Sequence, residues 1–141
     1  MGTTPKLLLL EDDAERVARF NSAACRLNLA VQLWRSAVTL LDELDRHLPH
    51  ADLISLDHDL LSEPGEPDLG DGLMVAKMLA ARRPSCPVII HTSNTLRGDW
   101  MEGELQLAGW KYRRILPIGD DWVEVDWYRA ARRFLKGHRP S

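Results

Sequence analysis

The chain of 141 residues has few cysteines, no excess of basic side chains and no long apolar run. Its two cysteines, Cys25 and Cys86, lie in separate apolar segments, so we expect two inert core thiols in a reducing, cytoplasmic compartment. The formal net charge of -3 argues against a general nucleic-acid binder, which usually carries a basic excess. The apolar run from Leu7 to Leu10 is too short for a membrane span or a signal-peptide core. We therefore expect neither nucleic acid nor a membrane as a partner.

The composition of the chain is that of an ordinary globular protein, with 45% hydrophobic and 28% charged residues. The length argues for a single domain over residues 1–141, with its core from about residue 5 to residue 137. A core of this size needs no disulfide bonds for stability.

Short apolar segments alternate with segments of helical periodicity along the chain. Continuous apolar stretches are typical of strands that are covered on both faces, and spaced apolar stripes are typical of helices. The predicted strands are residues 6–10, 29–34, 53–56, 88–90 and 112–116. The predicted helices follow caps at Asp13 and Ser36 and then cover about 73–83, 100–108 and 125–137. Five strand–helix units predict an α/β fold, a doubly wound five-stranded parallel sheet with helices on both faces.

Acidic and imidazole side chains stand where three of the predicted strands end. In open parallel sheets, ligands bind beyond the carboxyl ends of the strands, so these groups occupy the edge where chemistry is expected. The three groups are Glu11-Asp12-Asp13, Asp57-His58-Asp59 and His91-Thr92-Ser93-Asn94.

Carboxylates from the first and third strands predict a metal site. If these strands are neighbours, Glu11, Asp12 and Asp57 lie close together, and their mutual repulsion requires either a proton or a cation. Oxygen ligands without sulfur favour Mg²⁺ or Mn²⁺. A hydrated Mg²⁺ held by carboxylates usually takes its other partners from a phosphate, whose remaining oxygens Thr92 and the backbone amides after Asp57 could hold. We therefore expect a phosphate-containing small molecule as the ligand.

The chain resembles the receiver domains of response regulators over nearly its whole length. That resemblance implies that Glu11 and Asp12 are the acidic metal-binding pair and that Asp57 is the phosphoacceptor. It also implies that the carbonyl of Asp59 is the third metal contact and that the Thr92 hydroxyl meets the phosphoryl group. The segments that carry the resemblance are Leu7–Asp13, Ile54–Asp57, Asp71–Leu73 and Val88–Ser93.

The sequence also departs from the receiver pattern. Receivers have a Lys-Pro pair after the fifth strand, and here Leu116-Pro117 stands in its place, with Arg114 as a substitute two residues earlier. The loop between Asp57 and Gly72 is longer than in a usual receiver. His58 and Asp59 replace residues that are commonly neutral, and an anionic Asp59 would oppose formation of an acyl phosphate on Asp57.

These departures make the chain similar to a narrower group, the cyclic-phosphate-processing receiver domains. Two separate segments carry this similarity, Leu56–Leu60 and Ile90–Asn94, together with the missing lysine. The similarity implies action on cyclic or linear phosphoesters rather than phosphorelay. The candidate catalytic residues are then Asp57, His58, Asp59, His91 and Thr92, with Thr92, Ser93 and Asn94 at the phosphate.

Several interpretations stay open at the level of sequence. The enzyme hypothesis assigns proton transfer to His58 or His91 and gives Asp57 a role as nucleophile or metal ligand. A second hypothesis is a signalling module in which a histidine kinase phosphorylates Asp57, and a third is a degenerate receiver that only binds a partner. Asn94 either caps the next helix or orients a substrate.

The last helix and the tryptophans raise the question of a protein partner. The basic run of the last helix is either a solvated face or a partner-binding surface. Trp34 and Trp110 are predicted to lie in the core, whereas Trp122 and Trp127 are candidates for covering an apolar partner surface. The basic residues concerned are Arg129, Arg132, Arg133, Lys136, His138 and Arg139.

Overall fold

The computed structural model describes residues 4–138 and contains one five-stranded parallel sheet with the strand order β2-β1-β3-β4-β5. It confirms the predicted α/β fold. The strands are β1 (Lys6–Leu10), β2 (Ala30–Trp34), β3 (Leu53–Leu56), β4 (Val88–Ile90) and β5 (Tyr112–Arg114). The helices are α1 (Ala14–Arg26), α2 (Ala37–His47), α3 (Gly72–Ala80), α4 (Thr95–Leu107) and α5 (Tyr128–His138). A 3₁₀ turn covers Leu48–His50, and a π-helical turn at Val123–Trp127 leads directly into α5.

The central strands separate two hydrophobic cores because successive side chains of a strand point to opposite faces. Leu8 and Leu10 pack into the core that α2, α3 and α4 cover. Leu7 and Leu9 pack into the core that α1, the π-helical turn and α5 cover. Apolar side chains on both faces of β1 therefore account for the layered architecture.

Four helices begin at side-chain caps, which fixes where the chain turns after each strand. Asp13, Ser36, Asp71 and Asn94 each accept a hydrogen bond from the backbone N–H three residues further on. The caps at Asp13 and Ser36 confirm the prediction, and the Asn94 cap confirms one of its two alternatives.

The element bounds differ from the prediction in several places, and α3, for example, ends at Ala80 rather than near Arg83. Helix α4 begins at Thr95 rather than near Trp100, because the Asn94 cap starts it before its apolar stripe begins. Strand β5 ends at Arg114 rather than Leu116. The predicted last helix begins as a π-helical turn, in which both Val123 and Trp127 are buried in the core.

Two predictions about side-chain exposure are wrong. Trp122 and Trp127 are buried in the core beneath α1 and therefore cannot cover a partner surface. Cys25 is an exposed thiol, because it lies on the outer side of α1, whereas Cys86 is a core thiol as predicted. Trp34 and Trp110 are buried, as predicted.

Across residues 4–138, every helix is too short or too polar to cross a membrane. Of the basic run on the last helix, Arg129, Arg132, Arg133 and Lys136 are solvent-exposed. Arg139, and the side chain of His138, lie outside the described residues.

Candidate functional site

The acidic cluster forms because β1 and β3 are adjacent and their last residues, Leu10 and Leu56, are directly paired. The residues that follow leave the sheet at the same edge. Oxygen atoms of Glu11, Asp12 and Asp57 all lie within 4.8 Å of one another. The structure therefore brings together the three carboxylates that the sequence singled out.

Glu11 is completely buried, and both of its oxygens are held. Its Oε2 accepts hydrogen bonds from the backbone N–H groups of Asp12 and Asp13, each at 3.1 Å. Its Oε1 lies 3.1 Å from Nε2 of His91. The Glu11 carboxylate consequently has a fixed orientation at the floor of the cluster.

Asp57 combines burial with a neighbouring negative charge. The side chain is 4% exposed, and Oδ1 accepts the backbone N–H of His58 at 2.8 Å. Burial and the charge of Glu11 together raise the pKa of Asp57 to about 6, against the opposing effect of His91. A divalent cation would offset this cost, and an all-oxygen donor set suits Mg²⁺ or Mn²⁺, so the residues present fit such an ion.

Arg16 is a site residue that the sequence reasoning missed. Its guanidinium lies 3.9 Å from Glu11 Oε1 and 3.8 Å from Asp57 Oδ2. The ring of Trp122 lies 5.6 Å below it, in cation–π geometry. The sequence contains a signal for this role, because a positive side chain in the first turn of a helix is unfavourable next to the positive end of the helix dipole. Such a side chain needs a negatively charged partner to offset that cost.

His58 is buried beside the cluster, and one of its ring nitrogens has a hydrogen-bond partner whereas the other, also buried, has none. Its Nδ1 lies 2.8 Å from Oδ1 of Asp59. Its Nε2 lacks a hydrogen-bond partner, although Asp71 Oδ2 lies 3.8 Å away. Since a carboxylate only accepts hydrogen bonds, Nδ1 carries the hydrogen in the neutral ring, and Nε2 presents a free lone pair. Asp71, which caps α3, is a second residue that the sequence reasoning left out of the site.

His91 occupies a different position from His58. It is completely buried behind the carboxylates, and both ring nitrogens are engaged, Nδ1 with Ser55 Oγ at 2.7 Å and Nε2 with Glu11. Of the two histidines, His58 is therefore the one with a ring nitrogen that has no hydrogen-bond partner. Sequence spacing alone gives no means of telling the two apart.

The residues after β4 form the wall next to Asp59. Thr92 is buried, and its Oγ1 accepts the backbone N–H of Asn94 at 3.1 Å. Ser93 is exposed and lines the cleft. Asn94 caps α4 and places its Nδ2 3.3 Å from an oxygen of Asp59.

Arg114 does not stand in for the missing lysine in this structure. Its guanidinium donates to Asp99 and Glu102 on α4, at 3.0 and 3.1 Å, and to the carbonyl of Asn94 at 3.2 Å. Leu116, at the position of the lysine, is half exposed. The positive charge at the cluster comes instead from Arg16.

An open cleft of about 770 Å³ lies above the cluster. One wall is the long loop after β3, which Asp12 ties down by accepting the backbone N–H of Leu61 at 2.7 Å. The cleft is far larger than a single phosphoryl group requires. Its lining includes Asp12, Arg16, Arg35, Asp57, His58, Asp59, Asp71 and Ser93.

Solved structures similar to this chain are receiver domains. The phosphorylated cyanobacterial phytochrome response regulator RcpA superposes with a TM-score of 0.72 at 15% identity, covering 98% of each chain. The receiver domain of an HD domain-containing protein from Pseudomonas fluorescens Pf-5 has a TM-score of 0.70 at 20% identity, covering 96% of this chain and 98% of its own. That of a LuxO repressor protein from Vibrio parahaemolyticus has a TM-score of 0.69 at 16% identity, covering 96% and 93%. At these identities the similarity establishes the fold.

No curated protein matches the chain by sequence. The family described as the cyclic-phosphate processing receiver domain matches residues 7–107, which is more than half of the chain and includes all three strand-end groups. The chain belongs to this family of cyclic-phosphate processing receiver domains.

Proposed function

We propose that this receiver domain binds Mg²⁺ or Mn²⁺ at Glu11, Asp12 and Asp57 and hydrolyses a cyclic or linear phosphoester in the cleft. One observation carries the proposal. His58, whose buried Nε2 has no hydrogen-bond partner and whose Nδ1 is held by Asp59, lines the same cleft as Asp12 and Asp57 of the acidic cluster. A basic nitrogen beside a phosphate-sized metal site is what phosphoester hydrolysis requires.

Each residue of the cluster has a distinct task in this proposal. The bound divalent cation would polarise the phosphoester and neutralise its charge. Arg16, already shared between Glu11 and Asp57, offers its charge to the same phosphate oxygens. Ser93 lines the cleft, where its hydroxyl can donate to the ligand, and Arg35 extends the cationic lining of the cleft.

His58 acts as the general base. Asp59 accepts the Nδ1 hydrogen and so fixes the tautomer whose Nε2 takes a proton from an attacking water. The water oxygen bonds to phosphorus, the ring P–O bond breaks, and the departing oxygen takes the proton back from His58. Water and cyclic diester thus give one monoester, with no other reactant. Asp71, 3.8 Å from Nε2, stabilises the protonated ring between these steps.

The test is hydrolysis of a 2′,3′-cyclic nucleotide in the presence of Mg²⁺. We expect His58→Ala to lower kcat/KM by about 100-fold or more, the usual contribution of a positioned base. His50→Ala is the matched control, because it removes the same kind of side chain from a position outside the cleft. His50 is exposed on the 3₁₀ turn. Equal activity of the wild type and His58→Ala would contradict the proposed role of His58.

Phosphorylation at Asp57 is the second candidate function. The geometry favours it in one respect, since Asp57 ends β3 inside the acidic cluster as the phosphoacceptor of a receiver does. Two features argue against a long-lived acyl phosphate. Arg114 is bound to Asp99 and Glu102 and does not reach the cluster, and the nearby carboxylate of Asp59 repels the phosphoryl group. Stable labelling by acetyl phosphate and Mg²⁺, abolished in Asp57→Asn, with no hydrolysis of cyclic phosphate, would establish this function instead.

The proposed surroundings of this activity are cytoplasmic, which agrees with the two free thiols Cys25 and Cys86.

A protein partner on the last helices stays a prediction. A groove of about 300 Å³ lies there, between the end of β5 and α5, and its exposed side chains are Arg113, Leu116, Ile118, Asp126, Arg129 and Arg133. If the protein binds no metal, is not labelled at Asp57 and hydrolyses no cyclic phosphate, the hypothesis of a degenerate receiver that only binds a partner is left.

A further inference from the structure

We infer that Ser55 and Trp127 are positioning residues that set the orientation of the metal ligand Glu11 through His91. The inference rests on the proposed function, because it assigns Glu11 to the metal site. It adds two residues from the middle of the sheet and the last helical turn, neither of which faces the cleft.

Four side chains form one continuous hydrogen-bonded row through the core. Trp127 Nε1 lies 2.9 Å from Ser55 Oγ, and Ser55 Oγ lies 2.7 Å from Nδ1 of His91. His91 Nε2 lies 3.1 Å from Oε1 of Glu11. All four residues are completely buried. We call this row, Trp127–Ser55–His91–Glu11, the buried relay.

The directions of the hydrogen bonds in the buried relay follow from its two ends. An indole nitrogen only donates, so Ser55 Oγ accepts from Trp127. The Glu11 carboxylate only accepts, so the neutral His91 ring carries its hydrogen on Nε2 and donates it to Glu11, and Nδ1 accepts the hydrogen of the Ser55 hydroxyl. Each polar atom has the partner it needs, and the row ends on Oε1 of Glu11, a residue of the acidic cluster.

Packing does not explain why the buried relay is polar. Ser55 interrupts an otherwise apolar strand, Leu53–Leu56, whose other members fill the two cores. Burying a polar group costs free energy unless it is hydrogen-bonded, and an apolar row of similar volume would avoid that cost. The one member with a task outside the core is Glu11. In metalloproteins, residues that are hydrogen-bonded to a metal ligand fix the orientation of that ligand.

The aromatic side chains around His91 keep the relay in place. Phe20 packs against the imidazole with a centroid distance of 4.8 Å, and Trp122 stacks on it at 6.0 Å with an interplanar angle of 29°. Trp122 and Trp127 bracket the π-helical turn, at its N-cap and its last residue. The turn before α5 therefore supports both the imidazole behind Glu11 and, through Trp122, the Arg16 guanidinium in front of it.

The test measures Mn²⁺ affinity by electron paramagnetic resonance of the free ion in Ser55→Ala and Trp127→Phe. Ser55→Ala removes two hydrogen bonds of the relay and Trp127→Phe removes one. Both variants keep most of the packing, and we expect a Kd about 10-fold higher than in the wild type. Trp110→Phe is the matched control. Its indole also donates a buried hydrogen bond, to the carbonyl of Leu79 at 3.0 Å, but on the other side of the sheet. We expect Trp110→Phe to lose stability and keep the wild-type Kd.

Two further measurements separate positioning from general stability. Nitrogen NMR of ¹⁵N-histidine-labelled protein reports which ring nitrogen of His91 carries the hydrogen, and we expect Ser55→Ala to change that signal without metal. Ser55→Thr, which retains the hydroxyl, should restore both the signal and the Kd toward the wild type.

Wild-type affinity in both relay variants, or the same loss in Trp110→Phe, would overturn the inference. Failure of the wild type to bind Mn²⁺ at all would instead overturn the proposed metal site, and the inference with it.

Discussion

Asp57 is the residue where burial and charge oppose each other most directly. In the metal-free protein its pKa is raised to about 6 by burial, so the folded state holds this proton more tightly than the unfolded state does. The contribution of Asp57 to stability is therefore largest below its ordinary pKa and is lost as the pH rises through about 6. The full loss corresponds to at most about 3 kcal/mol.

We predict that Asp57→Asn is more stable than the wild type in EDTA at pH 7.5, and that this advantage shrinks toward pH 4.5. The amide cannot ionise, so it removes the cost of the second buried charge. Urea unfolding at both pH values measures the difference. Asp42→Asn, on the exposed side of α2, is the control for loss of one negative charge. An advantage of Asp57→Asn that does not change with pH would contradict the prediction.

Gly72 is a residue whose missing side chain allows the site to form. A Cβ there would collide with the carbonyl oxygen of Asp57 and the Cα of His58. We predict that Gly72→Ala loses about 2 kcal/mol of stability, typical of overpacking against backbone, and separates α3 from the end of β3. Thermal unfolding measures the loss.

Gly103 provides the matched control for this substitution. It lies inside α4, and a Cβ there meets no atom within 4 Å. Gly103→Ala should therefore gain about 0.5–1 kcal/mol, because alanine is the better helix former. A loss of stability in Gly103→Ala as large as in Gly72→Ala would show that close approach to Asp57 is not the cause.

At the scale of elements, Arg114 joins β5 to α4. Its guanidinium binds Asp99, Glu102 and the carbonyl of Asn94, and it fills the space that a side chain at residue 98 would need. We predict that Arg114→Gln lowers stability by about 1–2 kcal/mol, from hydrogen bonds to charged groups, and leaves cyclic-phosphate hydrolysis unchanged. Unfolding and kinetic assays on the same preparation measure both. A large fall in kcat with normal stability would mean that Arg114 takes the role of the missing lysine.

Sequence patterns predict an element well where one local signal decides it. The apolar run Leu7–Leu10 forms β1, and Asp13 and Ser36 cap the helices that follow, as expected. The clustering of carboxylates also follows from local signals, since parallel neighbours end at one edge. Strand adjacency was the assumption, and the strand order confirms it.

Elements decided by distant contacts were predicted poorly. The five-residue π-helical turn has no periodic signature, because tertiary packing of Trp122 and Trp127 around Phe20 sets it. The same contacts bury two tryptophans that looked available to a partner. The roles of His58 and His91 depend on side-chain direction, which the order of residues along the chain does not specify.

At the scale of the whole molecule, the acidic site joins the two cores. Glu11 is hydrogen-bonded to His91 of the buried relay, on the α1 side of the sheet. Asp57 precedes His58, whose carbonyl accepts the backbone N–H of Gly72 at the start of α3. A ligand that binds the folded state alone stabilises the entire cooperative unit rather than one element.

We therefore predict that Mg²⁺ raises the Tm of the whole protein in one transition. At a free concentration of 100 times Kd the gain is about 2.7 kcal/mol, which for a chain of this length corresponds to about 9 °C. Scanning calorimetry with EDTA and with Mg²⁺ measures the shift. Asp12→Asn should lose most of it because a ligand is removed, whereas Asp42→Asn should keep it. If Asp42→Asn lost the shift equally, the cation would be acting through net charge rather than through the cluster at the ends of β1 and β3.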